Sequence, residues 1–193
     1  MSVSRFLAWW PAVGLAAMVL LGWVVGKGST PLDDAFHAID VPGWRLMVAG
    51  ATRLLAVVWL AAIAAALWGS RWSLAVAAAV TPPVAVACSR VFKALFERDL
   101  DGALAYPSGH ATALVAVLGV AVLVCGGRVW ALAVATVCTL GGMFVIGSTF
   151  HYFTDTVGAL LLATSMVCLA ARLTAWQPTA ARPDPALQPV EQT

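Results

Sequence analysis

Six long apolar runs, joined by short polar or glycine-containing connections, constrain the fold of this chain more than any other feature. A helix of about 20 apolar residues crosses the hydrocarbon core of a bilayer, and every backbone polar group in lipid must be satisfied internally. We therefore predict an all-α bundle of six transmembrane helices over residues 1–176, with the short fourth run extended by residues 108–111. The runs are Leu7–Val25, Leu46–Trp68, Trp72–Phe92, Thr112–Cys125, Trp130–Ile146 and Thr156–Leu173.

Composition supports a membrane location and excludes most classes of soluble protein. The chain is 62% hydrophobic and 10% charged, whereas soluble domains carry about 25% charged residues. A net charge of +2 without a basic cluster gives no reason to expect a nucleic-acid partner. The four cysteines lie inside apolar runs, and we expect them to be buried hydrophobic residues rather than metal ligands or disulfides.

A short amphipathic helix is predicted between the first two spans, over Pro31–Asp40. Its apolar residues recur at helical spacing, which fits a helix lying on the outer membrane surface. Thr30 is a suitable cap, and Pro31 suits the first turn. The apolar residues are Leu32, Phe36 and Ile39.

The distribution of charge predicts the orientation of the bundle. With six spans both termini lie on one side, and that side carries arginines with few acidic residues. The positive-inside bias places this side in the cytoplasm, and we expect the membrane to be a bacterial plasma membrane. The proline-rich segment 177–193 is then a disordered cytoplasmic tail. Four reactive side chains fall at the outer face: Lys93, His110, His151 and Asp155.

His151 and Asp155 form the first candidate catalytic pair. At positions i and i+4 of a helix they would share a face, so that the carboxylate could accept a bond from one ring nitrogen. The other nitrogen would then be free as a nucleophile toward phosphorus. Taken alone, the pair is equally typical of polar residues that solvate the start of a helix.

The string Tyr106-Pro107-Ser108-Gly109-His110 forms a second candidate. Backbone amides at the start of the fourth span could hold phosphate oxygens, with a hydroxyl donor from Ser108 and close backbone approach at Gly109. His110 is then placed to protonate a leaving alkoxide. The same string is also typical of a simple turn with a surface histidine.

Three cations near the outer ends of spans two and three complete the candidate site. Lys93 lies at the end of span three, Arg90 one turn deeper on the same face, and Arg53 about two turns into span two. Charged residues inside a span are costly and are usually functional, so the three could surround a phosphate dianion. Snorkelling of Lys93 to the lipid headgroups is the alternative.

Lys93, the Pro107–His110 string and His151-x-x-x-Asp155, in this order, resemble the three signature motifs of the type 2 phosphatidic acid phosphatase family. The resemblance covers nearly all of the chain before the tail, and it implies a six-span lipid phosphatase. It implies that His151 is the nucleophile, Asp155 its orienting partner and His110 the general acid. Lys93, Ser108 and Gly109 would bind phosphate, and no metal or other cofactor would be needed.

The chain departs from the family pattern at two arginine positions. Leu100 stands where the first motif has arginine, and Phe144 and Val145 stand where the third motif has Ser-Arg. Each charge-assisted hydrogen bond contributes about 1.5–3 kcal/mol, so their loss would weaken dianion binding. Either Arg90, Arg53 or Arg98 supplies the charge, of which we favour Arg90 and Arg53, or the member is specialised or weakened and handles an unusual substrate. Arg98 we expect to pair with the acidic residues beside it in its loop.

Three functions therefore remain open. The first is dephosphorylation of a polyprenyl or phosphatidyl phosphate or diphosphate at the outer face, through a phosphohistidine. The second is a non-catalytic lipid-phosphate transporter or scaffold, favoured by the missing arginines. The third, a zinc site of two histidines and one carboxylate, is disfavoured because Lys93 would repel a cation.

Overall fold

The computed structural model describes residues 3–178 as a bundle of six long helices and one short helix. The predicted disordered tail lies, from residue 179 onward, outside the described residues. The helices are α1 (Val3–Val25), α2 (Pro31–His37), α3 (Trp44–Trp68), α4 (Trp72–Phe96), α5 (Gly109–Val124), α6 (Val129–Gly147) and α7 (Phe153–Leu173).

Five of these helices are long and apolar enough to cross a membrane, namely α1, α3, α4, α6 and α7. The fourth predicted run forms α5, which has 16 residues and is about 24 Å long at 1.5 Å per residue. That length falls short of a hydrocarbon core of about 30 Å. The predicted extension reaches back only to Gly109, because Ser108 is already the cap of the helix. Six complete spans are therefore not established.

A two-stranded hairpin interrupts the predicted all-α architecture between α4 and α5. Strands β1 (Asp99–Leu100) and β2 (Ala103–Leu104) pair antiparallel. Asp101 and Gly102 between them have φ values of 53° and 81°, as a two-residue hairpin turn requires. The hairpin is not predictable from the sequence pattern, because its two-residue strands are too short to show alternation. It follows α4 directly, and its carbonyl groups hold Lys93.

Helix α7 lies at the centre of the bundle and packs against α1, α4, α5 and α6. Small residues allow the close approach that membrane helices need. A Cβ on Gly14 of α1 would lie 2.3 Å from the Ser165 hydroxyl of α7, and one on Gly119 of α5 would lie 2.7 Å from Val167. These glycines therefore fix the spacing of α1, α5 and α7.

The long helices alternate in direction, so the bundle has two chemically different ends. At the terminal end, Arg172 donates to the Ala8 carbonyl at 3.1 Å and Arg71 donates to the Val124 carbonyl at 2.9 Å. At the other end, the Tyr106 hydroxyl donates to the Met18 carbonyl. Both polar strings of the sequence lie at this second end, opposite the two ends of the described chain.

Helix α2 has the predicted cap but a different inner face. The Thr30 hydroxyl accepts the Asp33 amide and Asp33 accepts the Thr30 amide, with Pro31 in the first turn. The helix ends at His37, before Asp40, and Leu32 stays 49% exposed. Phe36 does pack inward, stacked on Phe153 at 3.9 Å between ring centroids. A buried carboxylate, Asp33, accompanies it, which a purely amphipathic pattern does not predict.

Candidate active site

His151 and Asp155 meet where α6 connects to α7. The imidazole Nδ1 lies 3.5 Å from Asp155 Oδ2, and the Asp155 side chain is fully buried. His151 precedes α7, so the two do not share a helix face as predicted. They meet because Asp155 Oδ2 turns back to accept the Tyr152 amide at 3.1 Å, in the manner of a capping residue.

The two side chains face each other without a formed hydrogen bond. His151 Nδ1 is buried and has no hydrogen-bond partner among the described residues, and 3.5 Å exceeds the usual range of about 2.7–3.2 Å. Catalytic hydrogen bonds are often long in unliganded sites and shorten with substrate. Nδ1 is thus the ring nitrogen that faces the carboxylate, and Nε2 is the one available for chemistry.

Arg98 lies behind Asp155 and is the largest fully buried side chain in the described part of the chain. Its Nη1 donates to Asp155 Oδ1 at 2.7 Å and to the Thr154 hydroxyl at 2.6 Å. Its Nη2 donates to Asp33 Oδ2 at 2.8 Å. Both Nη2 and Nε donate to the Gly28 carbonyl. All five N–H groups of the guanidinium are therefore used within the protein.

The expected pairing of Arg98 with its sequence neighbours is wrong. Glu97 pairs instead with Lys27, at 2.8 Å on the surface, while Arg98 turns inward to carboxylates 65 and 57 residues away in sequence. The signal that could have found it is its place two residues before Leu100, the position at which the resembled motif has an arginine. Its buried environment depends on contacts distant in sequence, which periodicity does not reveal.

Asp33 is a second component that sequence reasoning missed. It accepts the Thr154 amide at 2.9 Å and the Thr154 hydroxyl at 3.0 Å, so it joins α2 to the first turn of α7. Burial alone would raise the pKa of Asp33, but hydrogen bonds from Thr154, Thr30 and Arg98 outweigh burial and lower it below 3.8. The residue is therefore a stable buried anion at neutral pH.

Ser108 links the second polar string to the same place. Its amide donates to the Asp155 carbonyl at 3.1 Å, and its buried hydroxyl accepts the Ala111 amide at 3.4 Å. The amides of Gly109 and His110 open α5 and have no partner among the described residues, as expected for the first turn of a helix. A Cβ at Gly109 would meet only the Ser89 hydroxyl, at 3.8 Å, so internal packing does not require glycine there.

Phe150 contacts the rings of both His110 and His151. The His110 ring meets the Phe150 ring edge-on with centroids 5.2 Å apart, and the Phe150 and His151 centroids are 5.5 Å apart. His110 is exposed and lies close enough to His151 and Lys93 for their charges to interact. The two predicted catalytic histidines therefore lie at one end of the bundle, in contact with the same aromatic ring.

The three predicted phosphate-binding cations differ in their surroundings. Lys93 Nζ donates to the carbonyls of Leu104 at 2.5 Å and Ala105 at 3.1 Å, which leaves its third N–H for a ligand. Arg90 and Arg53 are exposed, and within residues 3–178 neither makes a hydrogen bond or ion pair. Arg90 lies one helical turn from Lys93, whereas no contact ties Arg53 to the histidines.

Two further features belong to this end of the molecule. The Ser148 hydroxyl, at the end of α6, is buried without a partner among the described residues, like His151 Nδ1. Residues 3–178 contain no group of three or more histidine, cysteine, aspartate or glutamate side chains arranged to hold a metal ion. The buried polar groups of the site are thus the His151 imidazole, the Ser148 hydroxyl, and Arg98 with its carboxylate partners.

The candidate site therefore has a buried carboxylate facing one imidazole, a second imidazole nearby, a lysine, and free amides at a helix start. Comparison of the chain with family models, with characterised proteins and with solved structures gave no match.

Proposed function

We propose that the protein is a lipid phosphatase that acts through a phosphohistidine on His151. The observation that carries this proposal is the 3.5 Å approach of His151 Nδ1 to the buried Asp155 carboxylate. A carboxylate in this place selects the tautomer with the proton on Nδ1 and stabilises the imidazolium that forms when Nε2 attacks.

The reaction has two steps. In the first, Nε2 of His151 attacks phosphorus, the bond from phosphorus to the ester oxygen breaks, and His110 donates a proton to the leaving alkoxide. In the second, His110 accepts a proton from water, and the resulting oxygen nucleophile displaces the histidine to release inorganic phosphate. The ammonium of Lys93 and the amides of Gly109 and His110 would donate hydrogen bonds to the phosphoryl oxygens and stabilise their negative charge.

An apolar groove beside the site supports a lipid as the substrate. It has a volume of about 360 Å³ and lies between α3, α4 and α5, with Arg90 as its single charged residue. Small-molecule sites have volumes of roughly 300–1,000 Å³, so the groove suits one hydrocarbon chain. Trp59 and Val86 supply part of its wall, and Ala113 lies one turn along α5 from His110.

A non-catalytic lipid-phosphate transporter or scaffold is the second candidate. The arrangement of Arg98 favours it, because all of its donors are used by protein groups and no arginine stands at Leu100 or Val145. The phosphate would then be held chiefly by Lys93, with Arg90 one turn away. Such a site would bind a dianion weakly and would need no nucleophile.

Phosphate release from a panel of polyprenyl and phosphatidyl phosphates and diphosphates, by purified protein with chelator present, separates the two candidates. We expect His151→Gln to abolish release and His110→Gln to lower kcat about 10²–10⁴-fold, as loss of a general acid does. Asp155→Asn should also be impaired, whereas Asp40→Asn, at an exposed carboxylate after α2, is the matched control.

An acid-labile phosphoryl group on His151, found by mass spectrometry in the wild type and missing in His151→Gln, would identify the intermediate. Release by His151→Gln at the wild-type rate would refute the proposal. Lipid movement across a vesicle membrane that is unchanged in this variant, without phosphate release by either protein, would favour the transporter.

A further inference from the structure

The cluster behind His151 contains two buried carboxylates and one buried guanidinium. Asp33, Arg98 and Asp155 are each fully buried, and Arg98 contacts both acids, at 2.8 Å and 2.7 Å. The trio carries one net negative charge, although a single Arg–Asp pair would be neutral and less costly to bury. The second carboxylate comes from α2, which is not part of the bundle core.

From this arrangement we infer that Asp33 is a positioning residue of the active site, which offsets the charge of Arg98 so that Asp155 presents a full negative charge to His151. The electrostatic part of this inference rests on the contacts alone. The effect on catalysis rests on the proposed phosphatase function.

The charges that surround His151 show why one carboxylate would be insufficient. Asp155 faces its Nδ1 from α7, while Lys93 on α4 lies close enough to Asp155 for their charges to interact. Without Asp33, the Asp155 carboxylate would face two cations, Lys93 and Arg98. The environment of His151 would then be positive and would oppose a cationic imidazole.

The remaining neighbours of His151 do not supply the missing negative charge. His110 on α5 is a second imidazole, and its charge opposes that of His151. His37, on α2, contributes a ring nitrogen 3.0 Å from the His151 carbonyl oxygen. Tyr152 lies under the Arg98 guanidinium at 4.2 Å, and burial raises its pKa, so that it stays neutral. Asp101, in the hairpin turn, interacts with Tyr152 only through its charge. Among the described residues, Asp33 is thus the one anion besides Asp155 that contacts Arg98.

Asp33 also fixes the geometry of the pair. It accepts both the amide and the hydroxyl of Thr154, the residue before Asp155. The capping box formed with Thr30 orients its own carboxylate. Loss of the charge would therefore weaken the chemical step without removing any group that touches the substrate, so kcat should fall while KM stays nearly constant.

The test compares three substitutions in the full chain: Asp33→Asn, Arg98→Gln and, as matched control, Asp34→Asn. Asp34 is an exposed carboxylate in the same first turn of α2, so its substitution reproduces the loss of a charge near the helix dipole. The chain has three histidines, so ¹⁵N NMR of histidine-labelled protein in micelles can follow the titration of His151 directly, with or without turnover.

The substitutions at Asp33 and Arg98 remove charges of opposite sign, so their effects on His151 should also be opposite in sign. Asp33→Asn should move the titration midpoint of His151, and the acid limb of the pH–rate profile, down by about half a unit to one unit. Arg98→Gln should move both up. Asp33→Asn should lower kcat at least about tenfold with KM within about twofold of wild type. Asp34→Asn should leave all of these values near wild type.

Shifts of the same sign in Asp33→Asn and Arg98→Gln, or an equal shift in Asp34→Asn, would overturn the inference. So would failure of both buried-site variants to fold while Asp34→Asn folds, because the cluster would then be a folding element. Opposite shifts in a wild type that releases no phosphate would support the electrostatic inference and refute the proposed function.

Discussion

Gly158 in α7 is the position where one added carbon should most directly disturb the site from a distance. A Cβ there would lie 2.5 Å from Cε2 and Cζ of Tyr106 and 2.6 Å from its Oη, against 3.4–4 Å for ordinary contact. The ring cannot easily move away. Gly22 packs closely against its other edge, Phe96 contacts it edge-on at 5.1 Å, and its hydroxyl donates to the Met18 carbonyl.

Substitution of Gly158 by alanine should therefore destabilise the fold. Overpacking a tight contact costs about 1–3 kcal/mol, and loss of the Tyr106 hydrogen bond would add about 1 kcal/mol. Alanine recovers up to about 1 kcal/mol through helix propensity. The net loss in the free energy of unfolding is about 1–3 kcal/mol, and in a chain of this size each kcal/mol lowers Tm by about 2–4 °C.

The loss of activity should be larger than the unfolded fraction of the protein can explain. Tyr106 lies two residues before Ser108, whose amide donates to the Asp155 carbonyl, so a shift of the ring is passed to the start of α5. A displacement of about 1 Å in a catalytic arrangement can cost about 100-fold in rate. Phosphate release by Gly158→Ala should therefore be reduced even at temperatures where the protein remains folded.

Thermal unfolding in detergent, followed by circular dichroism, measures the stability effect. Gly141→Ala is the matched control, because a Cβ at this helical glycine has nothing within 4 Å and should be neutral or slightly stabilising. A Tm for Gly158→Ala equal to that of Gly141→Ala would show that the Tyr106 ring is not confined as the contacts indicate, and the reasoning would fail.

Three other outcomes follow from the described contacts. Arg98→Met should cost about 3–5 kcal/mol of unfolding free energy, because it leaves two buried carboxylates without their cation; a loss below about 1 kcal/mol in detergent unfolding would contradict a buried charge cluster. The lowered pKa of Asp33 means that it stabilises the fold above pH 3.8 and that this contribution is lost as pH falls further. The Tm difference between wild type and Asp33→Asn, measured by thermal scans, should therefore shrink below that pH; a constant difference would contradict it. Ala87→Phe should fill the groove and raise KM for long-chain substrates more than for short-chain ones. Ala133→Phe, on the exposed face of α6, should change KM for neither class of substrate. Equal kinetics in the two variants would exclude the groove as the binding site of the lipid chain.

The apolar runs by themselves determined the helical class of this protein and the approximate bounds of its long helices. The cap of α2 at Thr30 was also readable, because cap chemistry depends on residues adjacent in sequence. The length of α5 was less predictable, since Ser108 could be read either as a helical residue or as a cap.

The two polar strings were likewise visible in the sequence, because histidine, serine and aspartate stand out in an apolar chain. Only the tertiary structure decided how they are supported. Arg98 precedes the hairpin and Asp33 lies in a surface helix, 65 residues apart. The local sequence around each predicts a solvent-exposed charged side chain. Burial of such charges is set by partners across the fold, because a carboxylate and a guanidinium leave water only when they meet.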